Sequence, residues 1–302
     1  MVRLGLCCLF AREPITFRSV TAKSLYGLTR KEQLRKLSGI CLHNAHSLLA
    51  AVKTVHRLGI GAFRISSQFL PRYTHPDIGY HLEDLPDAVE IVAIFKQVNR
   101  LRRSDDIRLS FHPDQFVVLS SPHEDVVKRS LAEIEYQTIL AKAMGADAIN
   151  IHVGGAYGDK TQSLNRFARS FERLSMAAQE RLTVENDDVT YTVSDILPFC
   201  NALKIPLVYD VHHHRCNPDS LSEEEATQRS LETWNRQGRE PLFHISSPKN
   251  GWNSPKPRPH ADYLDPADIP NAWRSLSGFT LDVEAKAKEL AVLKLKNEWP
   301  FN

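Results

Sequence analysis

No run of apolar residues in this sequence approaches the roughly 18 residues that a membrane-spanning helix needs. The first residues, MVRLGLCCLFAREP, contain too short an apolar stretch for a secretory signal peptide, and no small-residue cleavage site follows. The five cysteines are odd in number and include no C-x-x-C pair, which is typical of reduced thiols. The sequence therefore predicts a cytoplasmic protein.

The chain also lacks a strong charge of either sign, because its formal net charge is only +2. Any surface that binds nucleic acid must therefore be a local patch. It has no internal repeat, no low-complexity tract and no clear linker, so nothing in it marks a domain boundary. Its 302 residues fit either two average domains or one large α/β barrel.

Short strand-like segments alternate with helical segments along the chain. Strands are expected near residues 2–7 and 62–66, and then at RLSFH, AINIH, RLTVE, PLVYD, PLFH and FTLDVE. Helices are expected near 44–58, 88–102, 125–144, 160–179, 194–203, 222–234 and 285–295. This alternation implies right-handed parallel crossovers, and eight units close into a barrel of about 250 residues plus insertions. The prediction is a single α/β domain over 1–302, a (β/α)8 TIM barrel, with an open doubly wound sheet as the alternative.

Six of these strands end on a residue type that binds metal ions. The terminal residues are His112, His152, Glu185, Asp210, His244 and Glu284. A parallel barrel brings the carboxyl ends of its strands to one mouth, so groups far apart in sequence would meet there. A lone histidine at a strand end is more often structural, but six such ends in series favour a metal site.

Two further histidines complete a set of eight candidate ligands. His213 follows Asp210 in D-V-H-H, and His260 lies in the long loop after the seventh strand, where it could also be a surface residue. Eight groups exceed one tetrahedral site and fit two or three ions that share carboxylates. Such ions polarise a phosphoryl oxygen and activate water, so the site predicts hydrolysis of a phosphoester. In the triple-histidine run, at least one of His212 and His214 is expected to face solvent or to lie behind the ligands.

Several motifs together resemble the UV damage endonuclease family in their order and spacing. They are RISSQFLP, SFHPDQFVVL, INIHVGG, LTVENDD, DVHHH, HISSPK, RPHADY and DVEAKAKE. The family is similar to endonuclease IV in fold and metal site. The resemblance implies two or three divalent ions on the eight positions, most often Mn²⁺, with Zn²⁺, Mg²⁺ or Co²⁺ as alternatives. It also implies a DNA repair hydrolase that nicks DNA immediately 5′ of cyclobutane pyrimidine dimers, 6-4 photoproducts and abasic sites, leaving a 3′-hydroxyl and a 5′-phosphate.

The resemblance assigns further residues outside the ligand set. Gln115 and Phe116 match the family's lesion-probing pair, which is usually Gln followed by Tyr, although Phe116 could instead be a core residue after a turn. An amide and an aromatic ring can fill the gap left by an extruded base, because base–aromatic stacking is worth about 1–3 kcal/mol. His75, in the loop after the second strand, and Lys286 are candidates for a supporting or catalytic role.

Five basic residues lie on loops after strands and are candidates for contacts to the DNA backbone: Lys160, Arg215, Lys249, Lys256 and Arg258. Each could equally be a solvated surface charge. Gly154 and Gly155 offer close approach of backbone N–H groups to a phosphate. Contacts of this kind position a duplex without reading its sequence. The expected partner is damaged double-stranded DNA, bound by a monomeric, cytoplasmic protein associated with the nucleoid.

Besides Phe116, two other positions depart from the family's pattern. Leu6 stands where many relatives have Tyr, and Leu242 stands where a relative can carry a Lys that is modifiable to a carboxylated form. If that lysine helps to hold a metal, a third ion would be weak or absent in this chain.

Two other functions remain open from the sequence. A sugar isomerase or epimerase on the same kind of barrel also places His, Asp and Glu at strand ends, but it needs fewer ligands and an enclosed pocket. A catalytically inactive barrel that binds damaged DNA and recruits other proteins is the second alternative. The intact ligand set argues against it.

Overall fold

Eight parallel strands pair in chain order and close into a barrel, because the last strand pairs with the first. The computed structural model describes residues 2–298, so Met1 and residues 299–302 of the predicted domain lie outside the described residues. The strands are β1 (Arg3–Cys7), β2 (Ala62–Ile65), β3 (Arg108–Phe111), β4 (Ala148–His152), β5 (Leu182–Glu185), β6 (Leu207–Asp210), β7 (Leu242–Ile245) and β8 (Thr280–Val283). The predicted TIM barrel is confirmed, and the open doubly wound sheet is wrong.

Helices follow the strands and cover the outside of the barrel. They are α1 (Arg30–Arg57), α2 (Ala88–Ser104), α3 (Glu124–Met144), α4 (Lys160–Phe171), α5 (Met176–Gln179), α6 (Val193–Leu203), α7 (Val211–Cys216), α8 (Glu223–Asn235) and α9 (Glu289–Glu298). Short 3₁₀ helices occur at Ala22–Ser24, Leu82–Asp84, Pro266–Asp268 and Asn271–Arg274. Among residues 2–298, no helix is both long enough and apolar enough to cross a bilayer.

Helix boundaries differ from the prediction where polar capping residues extend beyond the apolar pattern. Helix α1 begins at Arg30, well before residue 44, because the Thr29 side chain and Glu32 form a reciprocal capping box. Thr192, and not Ser194, caps α6, whereas Ser222 caps α8 as expected. The helix predicted over 160–179 is divided into α4 and α5, and α7 lies in a segment that was expected to be a loop.

The amino ends of the strands are joined by a network of ion pairs, here called the floor network, which comprises Arg3, Arg108, Asp147 and Glu240. Arg3 Nε lies 3.0 Å from Glu240 Oε1, and Arg108 Nη2 lies 2.9 Å from Asp147 Oδ2. Arg108 also donates to the Pro241 carbonyl at 3.0 Å, so it links β3 to the segment before β7. In TIM barrels this face of the molecule serves stability, while the opposite face carries the site.

Side chains alternate between the two sides of each strand, which separates an outer apolar layer from a polar interior. The outward residues join one large buried cluster with the helices, for example Phe63, Ile151 and Leu281. Inside the barrel and near the floor, Leu242 packs with Ala148, Val208 and Trp234 in a second, smaller apolar cluster. Polar side chains occupy the same inward face closer to the mouth.

Candidate metal centre

Glu185, the last residue of β5, lies among four imidazole rings at the mouth of the barrel. The residue is only 1% exposed. Its Oε2 atom lies 3.1 Å from His112 Nε2 and 3.9 Å from His152 Nε2. Its Oε1 atom lies 3.1 Å from His213 Nδ1 and 3.2 Å from His244 Nδ1. The strand ends therefore bring these five predicted residues together.

Asp210 and His213 are brought together by the short helix α7. Asp210 caps this helix, because its Oδ1 accepts a hydrogen bond of 2.8 Å from the His213 backbone N–H. Its other oxygen, Oδ2, lies 3.7 Å from His213 Nδ1. The i, i+3 spacing within one helical turn places both groups on the same side.

Glu284 and His260 form the opposite edge of the cluster. Glu284 Oε1 lies 3.5 Å from His244 Nδ1, and Glu284 Oε2 lies 3.7 Å from His260 Nδ1. His260 belongs to the loop after β7, where a backbone bridge pairs it with Pro248. Its side chain is 27% exposed, so it faces the cluster and not open solvent.

His212 and His214 are both buried, so neither faces solvent. The two ring nitrogens of His212 lie 3.3 Å from the Ser246 carbonyl oxygen and 3.2 Å from the Arg258 carbonyl oxygen. His212 therefore lies behind the candidate ligands and fixes the loop that carries His260. The His214 ring contacts the Tyr209 hydroxyl, with 2.6 Å between Nδ1 and oxygen.

Two groups of side chains have the spacing that a metal ion requires. One comprises His112, Glu185 and His244, the other comprises Glu185, Asp210 and His213, and the ligand atoms in each lie within 4.8 Å of one another. Glu185 belongs to both groups. Among the described residues, Glu185 Oε1, Asp210 Oδ2 and both His244 ring nitrogens are buried without a hydrogen-bond partner. Buried polar atoms are normally paired, so these orphaned atoms fit the coordination of divalent cations.

The carboxylates and imidazoles shift one another's protonation strongly. Burial alone would raise the pKa of Glu185, but His244 and His152 bring that pKa well below its usual range. Burial lowers the pKa of His244, but the charges of Glu185 and Glu284 outweigh it and raise the pKa to about 9. Burial opposes protonation of His213 as well, yet Asp210 and Glu185 raise its pKa well above the usual value. The buried carboxylates of the cluster therefore favour positive charge beside them, as protons on His213 and His244 or as bound cations.

Three polar side chains that support the cluster were missed by sequence reasoning. Asn150 donates a hydrogen bond to Glu185 Oε2, and Arg64 Nη1 lies 2.6 Å from Glu284 Oε1. Asp282 Oδ2 lies 3.8 Å from His244 Nε2. Asn150 and Asp282 each lie two residues before a candidate ligand on the same strand, and this same-face spacing is the signal that could have found them.

Phe116 is 77% exposed on the loop after β3, so the alternative that it is a core residue is wrong. The neighbouring Gln115 is exposed as well. His75 lies with Phe116 in the lining of a groove of about 390 Å³, and within residues 2–298 no hydrogen bond, ion pair or ring contact joins it to the imidazole cluster. Lys286 is exposed just beyond the cluster, and its backbone N–H donates to the Ala261 carbonyl.

The five basic candidates divide into paired and unpaired residues. Arg215 is the most constrained, because it binds Glu223 at 2.7 Å and lies against the Trp252 ring. The other paired side chains are Lys160, 2.6 Å from Asp195, and Arg258, 3.5 Å from Asp188. Lys249 and Lys256 are exposed on the loop after β7, and no ion pair involves either of them in the described part of the chain.

Glycine at position 154 is required by packing and by the backbone conformation. It has a φ of 97°, and a Cβ there would lie 2.5 Å from Val118 Cγ1. Gly155 is more open, since its Cβ would meet only the Tyr157 ring at 3.5 Å. Of the departures from the family pattern other than Phe116, Leu6 is buried in the outer apolar layer and Leu242 in the small cluster near the floor.

Fold and site together define a TIM barrel whose strand ends hold a buried, convergent histidine–carboxylate cluster. The chain belongs to the UV-endonuclease UvdE family, whose sequence model matches residues 2–301. It is 34% identical over 303 residues to a UV DNA damage endonuclease of Bacillus velezensis, a match that covers 96% of this chain and 90% of that protein.

Solved structures agree with this assignment. The structure of SacUVDE superposes with a TM-score of 0.87 at 27% identity and covers 100% of both chains. Endonuclease IV from Thermus thermophilus superposes with a TM-score of 0.62 at 16% identity and covers 98% of each chain, which shows a shared fold. The resemblance inferred from the motifs is therefore confirmed.

Proposed function

We propose that this chain is a metal-dependent UV damage endonuclease. It nicks double-stranded DNA immediately 5′ of cyclobutane pyrimidine dimers, 6-4 photoproducts and abasic sites, and leaves a 3′-hydroxyl and a 5′-phosphate. The observation that carries the proposal is Glu185, shared by two ligand groups in a chain of the UV-endonuclease family. A carboxylate between two groups is the arrangement expected of two-metal phosphodiester hydrolysis.

Two divalent ions, most often Mn²⁺, would be held by the two groups that share Glu185. His152, His260 and Glu284 lie in the same cluster and would complete the coordination or hold a third ion. When bound, such ions activate water and stabilise charge on the phosphoryl and leaving oxygens. Imidazole and carboxylate ligands suit Mn²⁺ and Zn²⁺.

The protein's own side chains fix the geometry of this centre. Asn150 holds Glu185 in one orientation, and Thr183 in turn donates to Asn150 Oδ1 at 3.0 Å, so neither can rotate freely. The Arg64 guanidinium keeps Glu284 ionised, since burial would raise the pKa of Glu284 but Arg64 and His244 lower it strongly. Locked, ionised groups need little reorganisation when a substrate phosphate arrives.

Apolar side chains on the rim support docking of a distorted duplex. Phe116, Tyr157 and Val189 follow β3, β4 and β5, and they are 77%, 50% and 58% exposed. Their loops follow consecutive strands at the mouth, so the three side chains can contribute to one binding surface. An aromatic ring such as Phe116 can stack on any base, so it would detect a site where damage has weakened base stacking, whatever the DNA sequence.

The direct test uses supercoiled plasmid irradiated with ultraviolet light. In the presence of Mn²⁺ we expect conversion to nicked circles, with ends that a polymerase extends directly because they carry a 3′-hydroxyl. Unirradiated plasmid and a reaction with chelator are the controls. Equal nicking of irradiated and unirradiated plasmid, or none of either, would refute the proposed function.

Metal binding should stabilise the protein, and more so as the pH rises. The folded-state pKa of His244 is raised from 6.5 to about 9. In the metal-free protein, protonated His244 therefore stabilises the folded state, and this stabilisation is complete below about pH 6.5 and is lost as the pH rises through about 9. Ions displace these protons, so their apparent affinity rises over the same range. With Mn²⁺ fixed at about 100 times the Kd that it has at pH 6.5, the free energy of unfolding, measured by thermal unfolding, should exceed that in chelator by about 2.7 kcal/mol at pH 6.5, and by more as the pH rises. A difference that shrinks between pH 6.5 and 9 would contradict this.

Lys249 and Lys256 should contribute to DNA affinity by neutralising phosphates. In the double variant Lys249→Ala/Lys256→Ala, the slope of log affinity against log salt should become shallower by about 0.9 for each phosphate that is no longer neutralised, equally for damaged and undamaged duplexes. Arg215→Ala is the comparison, because its paired guanidinium should affect stability and leave the salt slope unchanged. Fluorescence anisotropy at several salt concentrations measures both slopes, and an unchanged slope in the double variant would remove these lysines from the interface.

A further inference from the structure

Asp282 is a carboxylate inside the barrel that makes no hydrogen bond within the described residues, although it lies 3.8 Å from His244 of the candidate centre. It lies on β8 and is directly opposite His244 of β7 in the strand register. The residue is 1% exposed, and neither of its oxygens has a hydrogen-bond partner among the described residues. An ionised group in such a place is costly unless a cation or a donor faces it.

The space that Asp282 occupies exists because the neighbouring strand carries a glycine. A Cβ on Gly5 of β1 would lie 1.9 Å from Asp282 Oδ1, so any larger residue at this position would displace the carboxylate. The pairing of Gly5 with Asp282 in the register explains this close approach. Carboxylate and glycine therefore form one complementary arrangement beneath the mouth.

The side-chain donor nearest to Asp282 is His244. Arg64 also lies near, and its Nε is buried without a partner, but its Nη1 binds Glu284 at 2.6 Å and no ion pair joins Arg64 to Asp282 in the described part of the chain. His244 Nε2 lies 3.8 Å from Asp282 Oδ2 and has no other partner in the described part of the chain. Its second nitrogen, Nδ1, faces Glu185 at 3.2 Å and Glu284 at 3.5 Å. The two ring nitrogens thus face two different environments.

We propose that Asp282 is a positioning residue that accepts a hydrogen bond from His244 Nε2–H. This contact fixes the tautomer and the ring orientation in which Nδ1 is free to bind a metal ion. A histidine ligand that donates its other N–H to a carboxylate is better oriented and more basic, and removal of such a partner costs about 10- to 100-fold in metal affinity. The inference rests on the metal centre proposed above and adds to it a residue that does not touch the ion.

Three variants distinguish an effect of Asp282 on the orientation of the His244 ring from an effect on folding of the protein. Asp282→Leu removes the acceptor, Asp282→Asn keeps the shape and an amide oxygen but removes the charge, and Gly5→Ala displaces the carboxylate without deleting it. Titration of the protein with Mn²⁺, followed by the electron paramagnetic resonance signal of free Mn²⁺, should show about 10- to 100-fold weaker binding for Asp282→Leu. Asp282→Asn should lie between that variant and the wild type. Gly5→Ala combined with Asp282→Leu should be no weaker than Asp282→Leu alone, because both act on one contact.

A second measurement reports on the tautomer directly. In the Zn²⁺-loaded, ¹⁵N-histidine-labelled protein, the wild type should show a proton on His244 Nε2 that exchanges slowly with water, and Asp282→Leu should lose it. Asp147→Asn is the matched control, since it removes a paired carboxylate from the floor network and should lower stability without changing metal affinity.

The outcomes distinguish the inference from the function on which it rests. If Asp282→Leu folds, binds Mn²⁺ like the wild type and keeps the slowly exchanging Nε2 proton, Asp282 has no positioning role. If Asp282→Leu does not fold, unchanged affinity in both Asp282→Asn and Gly5→Ala overturns the role equally. If the wild type itself binds no Mn²⁺, the proposed metal centre fails and this inference fails with it.

Discussion

Replacement of Glu185 by Gln is expected to abolish incision of irradiated DNA. The change keeps the size of the side chain but removes the one carboxylate that belongs to both ligand groups. Removal of a group behind a single ligand costs about 10- to 100-fold in activity or metal affinity, and removal of a shared ligand should exceed that. Rates of plasmid nicking measure the loss of activity, and Mn²⁺ titrations of the same preparation measure the loss of metal affinity.

Glu289→Gln provides the matched control for this prediction. Glu289 is 2% exposed, and its carboxylate accepts hydrogen bonds from the backbone N–H groups of Ala11 and Arg12, away from the imidazole cluster. The same isosteric change there should lower stability and leave incision intact. Near-normal incision by Glu185→Gln at saturating Mn²⁺ would show that this carboxylate is not shared between ions.

Phe116→Ala should weaken binding of damaged DNA far more than binding of undamaged DNA. An exposed ring that stacks on a base contributes about 1–3 kcal/mol, which corresponds to about 5- to 150-fold in Kd. The undamaged duplex keeps its own stacking, so it has no gap for the ring to fill. Anisotropy titrations with matched damaged and undamaged oligonucleotides give both affinities.

Val89→Ala is the control for the loss of an exposed apolar side chain at a position away from the mouth. Val89 is 87% exposed on α2 and lies outside the groove that Phe116 lines, so its truncation removes exposed apolar surface without affecting the mouth. Phe116→Tyr tests the missing hydroxyl of the family's usual pair and should bind at least as tightly as the wild type. Equal losses on both duplexes in Phe116→Ala would show that the ring does not probe lesions.

The barrel could be predicted because its signals are local. Apolar runs that end on His, Asp or Glu mark the strands, and helical patterns between them imply parallel crossovers. Helix starts were less predictable, since α1 begins in the polar stretch after Thr29, where only the capping box marks the boundary. Helix α7 could not be foreseen from apolar spacing, because in V-H-H-H-R-C the capping carboxylate of Asp210 stabilises the turn.

The eight candidate ligands could be selected from sequence because strand ends converge, and in the structure their side chains lie close together at the mouth. Their supporting residues could not, because each depends on a contact across strands. Arg64 forms an ion pair with Glu284, which lies near the opposite end of the chain. The Asp282 carboxylate has room only because the adjacent residue on β1 is Gly5. Arg215 shows the reverse case, since this basic residue was expected on a loop but lies in α7 and is already bound to Glu223.

The floor network has a bearing on how variants of this protein should be made. Arg3 and Arg108 tie together strands from both halves of the chain at the end of the barrel remote from the mouth. Substitutions that strengthen this end should therefore raise heat resistance without a penalty in turnover, because they leave the unpaired groups at the mouth unchanged. Substitutions that replace the buried charged groups at the mouth with apolar or neutral residues should instead raise stability but abolish activity on DNA.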